Sequence, residues 1–166
     1  MTSEATTTGW HDPPLGAVIR EATRADTHAI AQLIRDLADY EKLAHEIEWD
    51  EGQLEATLFG PGAVPRTTVA LDDDTGDVVG MAIWFRTYST FLGRPGIWLE
   101  DLFVRPEHRG GGHGRALLDS LFEQADGGRV EWAVLDWNEP SIRFYDSLGA
   151  RPVDGWTRYR WLGEPR

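Results

Sequence analysis

The stretch "WLEDLFVRPEHRGGGHGRALLDSL" (98–121) constrains the fold more than any other part of the chain. An apolar, strand-like run stops at Arg105–Pro106 and passes through a loop rich in glycine. It then enters a segment with Ala116, Leu117, Leu118, Leu121 and Phe122 on one helical side. A strand joined to a helix through glycines is a βα unit, the building block of an α/β sandwich. Glycines let several backbone N–H groups turn into one concavity, next to the positive end of a helix dipole. Arg105, Arg109 and Arg115 against Glu107 make residues 105–115 locally +2, in a chain whose formal charge is −12. On these residues alone the loop is either an anion-binding nest or a flexible helix cap. It is not a P-loop, because no glycine is followed by lysine and then serine or threonine. A dinucleotide fingerprint fails too, since the third small residue falls in the wrong place.

The remaining elements surround this unit. "AVIREA" (17–22) reads as a strand and "TRADTHAIAQLIRDLADYEK" as a helix, with Ile30, Leu33, Ile34 and Leu37 at helical spacing and Asp26 or Thr27 as its cap. "WDEGQLEATLFG" is a shorter helix ended by Gly60–Pro61. "RTTVAL" and "VVGMAIWFRTY" form an antiparallel hairpin about "DDDTGD". After the helix that follows the glycine loop come "RVEWAVLDW" as a strand, "EPSIRFYDSLGA" as a helix with Pro140 in its first turn, and "TRYRWL" as a last strand. The expected architecture is one α/β domain over 17–166 with a mixed sheet, preceded by a disordered leader over 1–16.

A length of 166 residues suits a single core. No apolar run approaches the roughly 18 residues of a membrane span, and the N-terminus has no basic region and apolar run of a signal peptide. A cytoplasmic location is the default. The absence of cysteine excludes disulfides, thiolate metal sites and a cysteine nucleophile. The −12 charge argues against nucleic acid or anionic lipid as a partner. It suits a cationic substrate, or it serves solubility alone.

Arg-x-x-Gly-x-Gly after a strand (Arg109, Gly112, Gly114) resembles the acetyl-CoA pyrophosphate loop of the GNAT N-acetyltransferases. "WLEDLFVRPEHRGGGHG", "YSTFLGR" and "AVLDWNEPSIRFYDSLGA" are similar to the diamine acetyltransferase branch, which includes spermidine/spermine and thialysine N-acetyltransferases. The similarity runs from about Val18 to the C-terminus. It implies the GNAT (acyl-CoA N-acyltransferase) fold, a mixed, mostly antiparallel sheet flanked by helices. It also implies acetyl-CoA as co-substrate without a metal, and a homodimer paired through C-terminal strands.

By the same resemblance, the backbone of Leu102, Phe103 and Val104 pairs with the pantetheine arm, and Arg109, Gly110, Gly112 and Gly114 hold the pyrophosphate. Asn138 matches a position that bonds the cofactor arm, and it also suits a helix cap. Tyr145 matches the general acid that protonates the departing thiolate; read by itself it is equally a core aromatic beside Phe144. An alkylammonium is neutral in only about one molecule in 2,500 at pH 7, a deficit of roughly 4.6 kcal/mol, so a base is needed. Glu100 is the candidate, acting through water, with its neighbour Asp101 as the other carboxylate that could do so or bind the substrate cation. Tyr40, Glu41, Ser89 and Trp156 match or could line the amine side. Ser89 stands where polyamine-acetylating relatives carry aspartate, which favours a thialysine- or lysine-like amine over spermidine.

His108 and His113 read as solvent-exposed loop residues, not metal ligands, because no third ligand lies at sensible spacing. Two alternatives remain beside small-amine acetylation. One is an acetyltransferase of protein N-termini or lysines; the other is a non-catalytic acyl-CoA-binding module.

Overall fold

A computed structural model describes residues 17–163; the expected leader lies outside the described residues. The elements are β1 (Val18–Glu21), α1 (Thr27–Glu41), α2 (Glu51–Phe59), β2 (Arg66–Leu71), β3 (Val78–Ser89), β4 (Arg94–Val104), α3 (His113–Ala125), β5 (Val130–Glu131) and α4 (Glu139–Ser147). Local chemistry sets several of their ends. Asp50 accepts the Gln53 N–H at 2.9 Å, and the Gln53 side chain accepts the Asp50 N–H at 2.9 Å. This reciprocal box starts α2. Lys42, with φ 61°, stops α1 in a left-handed conformation.

The sheet runs in the order β1-β2-β3-β4-β5, antiparallel as far as β4 and parallel between β4 and β5. Alternation along the strands splits the core in two. Val69, Met81, Ile83 and Phe103 join Ile30, Leu33, Leu54 and Leu58 beneath α1 and α2. Ala70 and Ala82, one residue out of phase, turn to the other face, and α3 buries Leu117, Leu118 and Leu121 completely against the sheet.

The chain divides into two compact units between Trp132 and Ala133. The first holds the sheet and α1–α3, and the second holds α4. Two expected strands differ from what forms. "RVEWAVLDW" contributes only Val130–Glu131, because only Ile97 and Trp98 of β4 offer it a ladder before β4 is bulged at Glu100. "TRYRWL" forms no strand, and among the described residues the second unit contains none. Its rings are left in solvent, with Tyr159 93% and Trp161 88% exposed.

Candidate active site

Strand β4 changes character along its length. At Ile97 and Trp98 it is paired on both sides; from Leu99 to Val104 only β3 pairs with it among the described residues. The register skips one residue, with Trp84 opposite Leu99 and Ile83 opposite Asp101, so Glu100 is the extra residue of a β-bulge. The Arg105 N–H donates to the Val79 carbonyl at 3.0 Å, which fixes the direction of every peptide upstream. In an antiparallel ladder the residues that face the partner alternate. Asp101 and Phe103 therefore aim their N–H and C=O at β3, while Leu102 and Val104 aim theirs at the open edge. This corrects the sequence expectation for Phe103, whose backbone is taken by the ladder. Its side chain matters instead.

The loop after β4 ends in free donors. The first helical bond of α3 runs from the Ala116 N–H to the Gly112 carbonyl at 2.9 Å, and no N–H of residues 110–115 meets an acceptor among the described residues. Gly110 and Gly112 have φ of 83° and 85°, values that disfavour any residue with a Cβ. The result is a concave run of amides at the start of a 13-residue helix.

Arg109 stands beside this nest and is anchored differently from the expectation. Its Nε donates to the Val104 carbonyl at 2.9 Å, occupying one of the open-edge acceptors. Its guanidinium lies over the rings of Tyr40 (5.3 Å) and Phe103 (5.5 Å). A groove of about 500 Å³ opens here, lined by Asp36, Tyr40, Phe103, Arg105 and Arg109 among others. Arg109 thus ties the loop to α1, which carries two of the expected amine-side residues, Tyr40 and Glu41.

At the bulge, Asp101 lies within reach of two other carboxyls. Burial pushes the Asp101 carboxyl up to about 6, and the neighbouring Glu100 and Glu41 charges add to the shift. Burial alone raises Glu41. Glu100 is exposed, and its Oε2 accepts the Trp98 indole N–H at 2.8 Å, which fixes the direction of the side chain. Asp101 shares the α1 face with Ile83 and Phe103. Two adjacent carboxyls therefore differ in environment, one wet and one half-buried with a raised pKa.

The other expected residues are placed as follows. Ser89 is 6% exposed and its hydroxyl accepts the Leu92 N–H at 3.2 Å, so it builds the β3–β4 turn. In the second unit, Asn138 is buried and caps α4, accepting the Ser141 N–H at 3.4 Å. Tyr145 is half-buried on α4, its ring 5.4 Å from that of Phe144. Trp156 is exposed in the segment after α4. Among the described residues no group of three His, Asp or Glu side chains could hold a metal, and no helix is long and apolar enough to cross a membrane. Sequence reading missed the burial of His113, which is 9% exposed at the first position of α3. Its place four residues before the buried Leu117 was the available signal.

An open strand edge runs into a nest of free amides beside a cluster of carboxyls, an arrangement with donors for an extended, anionic ligand and carboxylates for a cation. The acetyltransferase (GNAT) family model matches residues 30–150. The chain is 38% identical over 159 residues to a thialysine N-epsilon-acetyltransferase of Sus scrofa, covering 89% of this chain and 93% of that protein. It is 31% identical to an L-ornithine N5-acetyltransferase of Arabidopsis thaliana, covering 88% and 84%. Its fold resembles that of an integron cassette protein from V. cholerae, with a TM-score of 0.73 at 21% identity over 89% of this chain and 93% of that one. The chain belongs to the acetyltransferase (GNAT) family, in its diamine acetyltransferase branch, and is an N-acetyltransferase.

Proposed function

We propose that the protein transfers the acetyl group of acetyl-CoA to a primary amine of a small cationic molecule, of the thialysine, lysine-like or diamine class. The observation that carries the reading is the open edge of β4, whose free backbone groups continue into the unpaired amides of residues 110–115. An extended pantetheine arm has amides spaced for such an edge, and a diphosphate needs donors of this kind. Leu102 and Val104 would bind the arm, and Gly110, Gly112 and Gly114 the diphosphate, with the Arg109 guanidinium beside them. For Asn138 the family resemblance proposes a bond to the same arm.

Acetyl-CoA brings an activated thioester; the protein has to manage protons. Glu100, wet and held in direction by Trp98, takes the ammonium proton through water. Asp101 and Glu41 supply negative charge for the substrate cation, and Tyr40 a ring surface. A carboxyl with a pKa of about 6 is also a stronger base than an ordinary aspartate. Tyr145 returns a proton to the sulfur that leaves. Ser89 is neutral and its hydroxyl accepts within its own turn, so this position offers no charge to a distal ammonium, which favours amino-acid-like amines over polyamines. The thialysine and ornithine acetyltransferases among the relatives support the same substrate class.

We also read the protein as a cytoplasmic homodimer. The exposed aromatic ending around Tyr159 and Trp161 is the surface a second copy would cover. Light scattering at micromolar concentration is expected to give twice the 18.6 kDa chain mass, and a monomer mass would reject pairing. The activity itself is tested by following thiol release from acetyl-CoA with a panel of amines. Thialysine, lysine and ornithine are expected to turn over faster than spermidine. Release with none of them, and with protein N-termini instead, would overturn the small-amine reading.

A further inference from the structure

The glycine loop contains two histidines that sequence reading leaves in solvent, and the structure gives both a different position. His113 is 9% exposed, and its Nε2 is buried without a hydrogen-bond partner. Its Nδ1 lies 3.2 Å from the carbonyl oxygen of His108. A carbonyl only accepts, so Nδ1 carries the hydrogen. A Cβ built on Gly111 would sit 3.2 Å from both Nδ1 and Cε1 of the same ring, so the loop backbone rests on the imidazole. The His108 ring makes a second contact, its Nδ1 3.2 Å from Asp72 Oδ2.

Asp72 is a firm anchor. It sits in the turn between β2 and β3, where its Oδ1 accepts the N–H groups of Asp74 (3.1 Å) and Thr75 (2.9 Å). Its own N–H donates to the Asp77 carbonyl at 2.9 Å. The loop is therefore held at one residue from two sides, by its carbonyl from α3 and by its ring from the β2–β3 hairpin.

Successive glycines lose more backbone entropy on ordering than any other residues. A nest whose amides must stay free for a ligand cannot order itself with those same amides. Something outside its backbone has to hold it. We propose that His113 and Asp72, gripping the carbonyl and the ring of His108, are positioning residues that preorganise the glycine loop for the diphosphate of acetyl-CoA. The inference rests on the reading of this loop as the acetyl-CoA site. Ordering the loop in advance lowers the cost of binding and leaves the chemical step unchanged. Its signature is a higher KM for acetyl-CoA at constant kcat.

The test uses the full chain, steady-state kinetics and calorimetric titration with CoA. His113→Phe keeps the ring and loses the donor, whereas His113→Asn keeps an N–H near the Nδ1 position. Asp72→Asn keeps the turn, since its side-chain oxygen still accepts from Asp74 and Thr75, and removes the charge that faces His108. His113→Phe is expected to raise KM for acetyl-CoA and the Kd of CoA about tenfold, or 1.4 kcal/mol, with kcat within about twofold of wild type. His113→Asn should recover most of that affinity, and Asp72→Asn should weaken CoA about threefold, or 0.65 kcal/mol. Wild-type CoA affinity in both His113→Phe and Asp72→Asn would overturn the proposal, as would a fall in kcat at unchanged KM. If His113→Phe does not fold, Asp72→Asn, on a surface turn, decides alone. Gly112→Val separates the two readings. Weakened CoA binding there with unaffected His113 and Asp72 variants rejects only the positioning role; wild-type binding there rejects the loop as the site.

Discussion

The two halves of β4 are one continuous strand with opposite duties. Residues 94–98 lie between β3 and, at their end, β5, with Ile97 completely buried. Among the described residues, 99–104 keep β3 on one side and an open edge on the other, with the bulge at Glu100 at the changeover. The first half closes into the sheet at Gly96–Trp98 and leaves no edge open at Ile97 and Trp98. The second keeps unspent hydrogen-bonding groups, which a soluble protein ordinarily covers or blunts. An edge left open next to a loop of free amides is explained by a ligand that completes the ladder. The bulge does a further job, re-aiming one carboxylate into water while its neighbour stays half-buried.

The largest expected effect breaks the chemistry of the open half and spares the closed one. Glu100→Gln should lower kcat by about 10²–10⁴-fold near pH 7 and recover about tenfold per pH unit as free amine becomes abundant. Tyr145→Phe should be equally slow and show no such recovery, because its proton is needed after attack. Ile97→Val, in the closed half, should cost about 1 kcal/mol of stability and leave kcat within about twofold. A pH–rate profile with parallel wild-type and Glu100→Gln curves would remove Glu100 as the base.

The second effect is on stability. An acid whose pKa is raised in the folded state opposes folding once the unfolded chain has ionised. With Asp101 at about 6 against the 3.8 of a free aspartate, that penalty is absent below pH 4 and grows to its full size above pH 6. Asp101→Asn should therefore stabilise the protein at pH 7 by about 1–3 kcal/mol and give no gain at pH 3.5. It should also raise the KM for the amine. Equal denaturant midpoints for the two proteins at pH 7 would show that Asp101 is not held in this environment.

A smaller effect compares adjacent residues within the open half. Leu102→Pro removes an N–H that faces the open edge, where proline is tolerated. It should fold and bind CoA about tenfold more weakly, a loss of 1.4 kcal/mol. Phe103→Pro removes a ladder donor to β3 and should not fold stably. Equal behaviour of the two variants would mean the register has been misassigned.

Much of this was legible in the sequence. The βα unit, the hairpin about "DDDTGD" and the helices carry strong local signals; "RTTVAL" and "VVGMAIWFRTY" form within one residue of the expected bounds, while the first helix starts at Thr27 and the last ends at Ser147. Three things were not legible. Which of Leu102, Phe103 and Val104 faces the edge depends on register, and register depends on a one-residue bulge with no signature in the residues themselves. The burial of His113 depends on where α3 begins, and a glycine loop hides that boundary. "TRYRWL" carries a real strand pattern, but a strand is a property of two segments, and among the described residues the second unit contains no strand.

The central claim is that acetyl-CoA completes the open half of β4 and the glycine nest. Residue-resolved amide hydrogen exchange, with and without CoA, tests it most directly. In the free protein the amides of Leu102, Val104 and residues 110–115 should exchange fast, while those of Asp101 and Phe103 are protected by β3. Saturating CoA should slow Leu102 or Val104 together with several of residues 110–115, and leave Asp101 and Phe103 nearly unchanged. Protection that appears elsewhere, with the open-edge and loop amides exchanging as fast as before, would contradict the account.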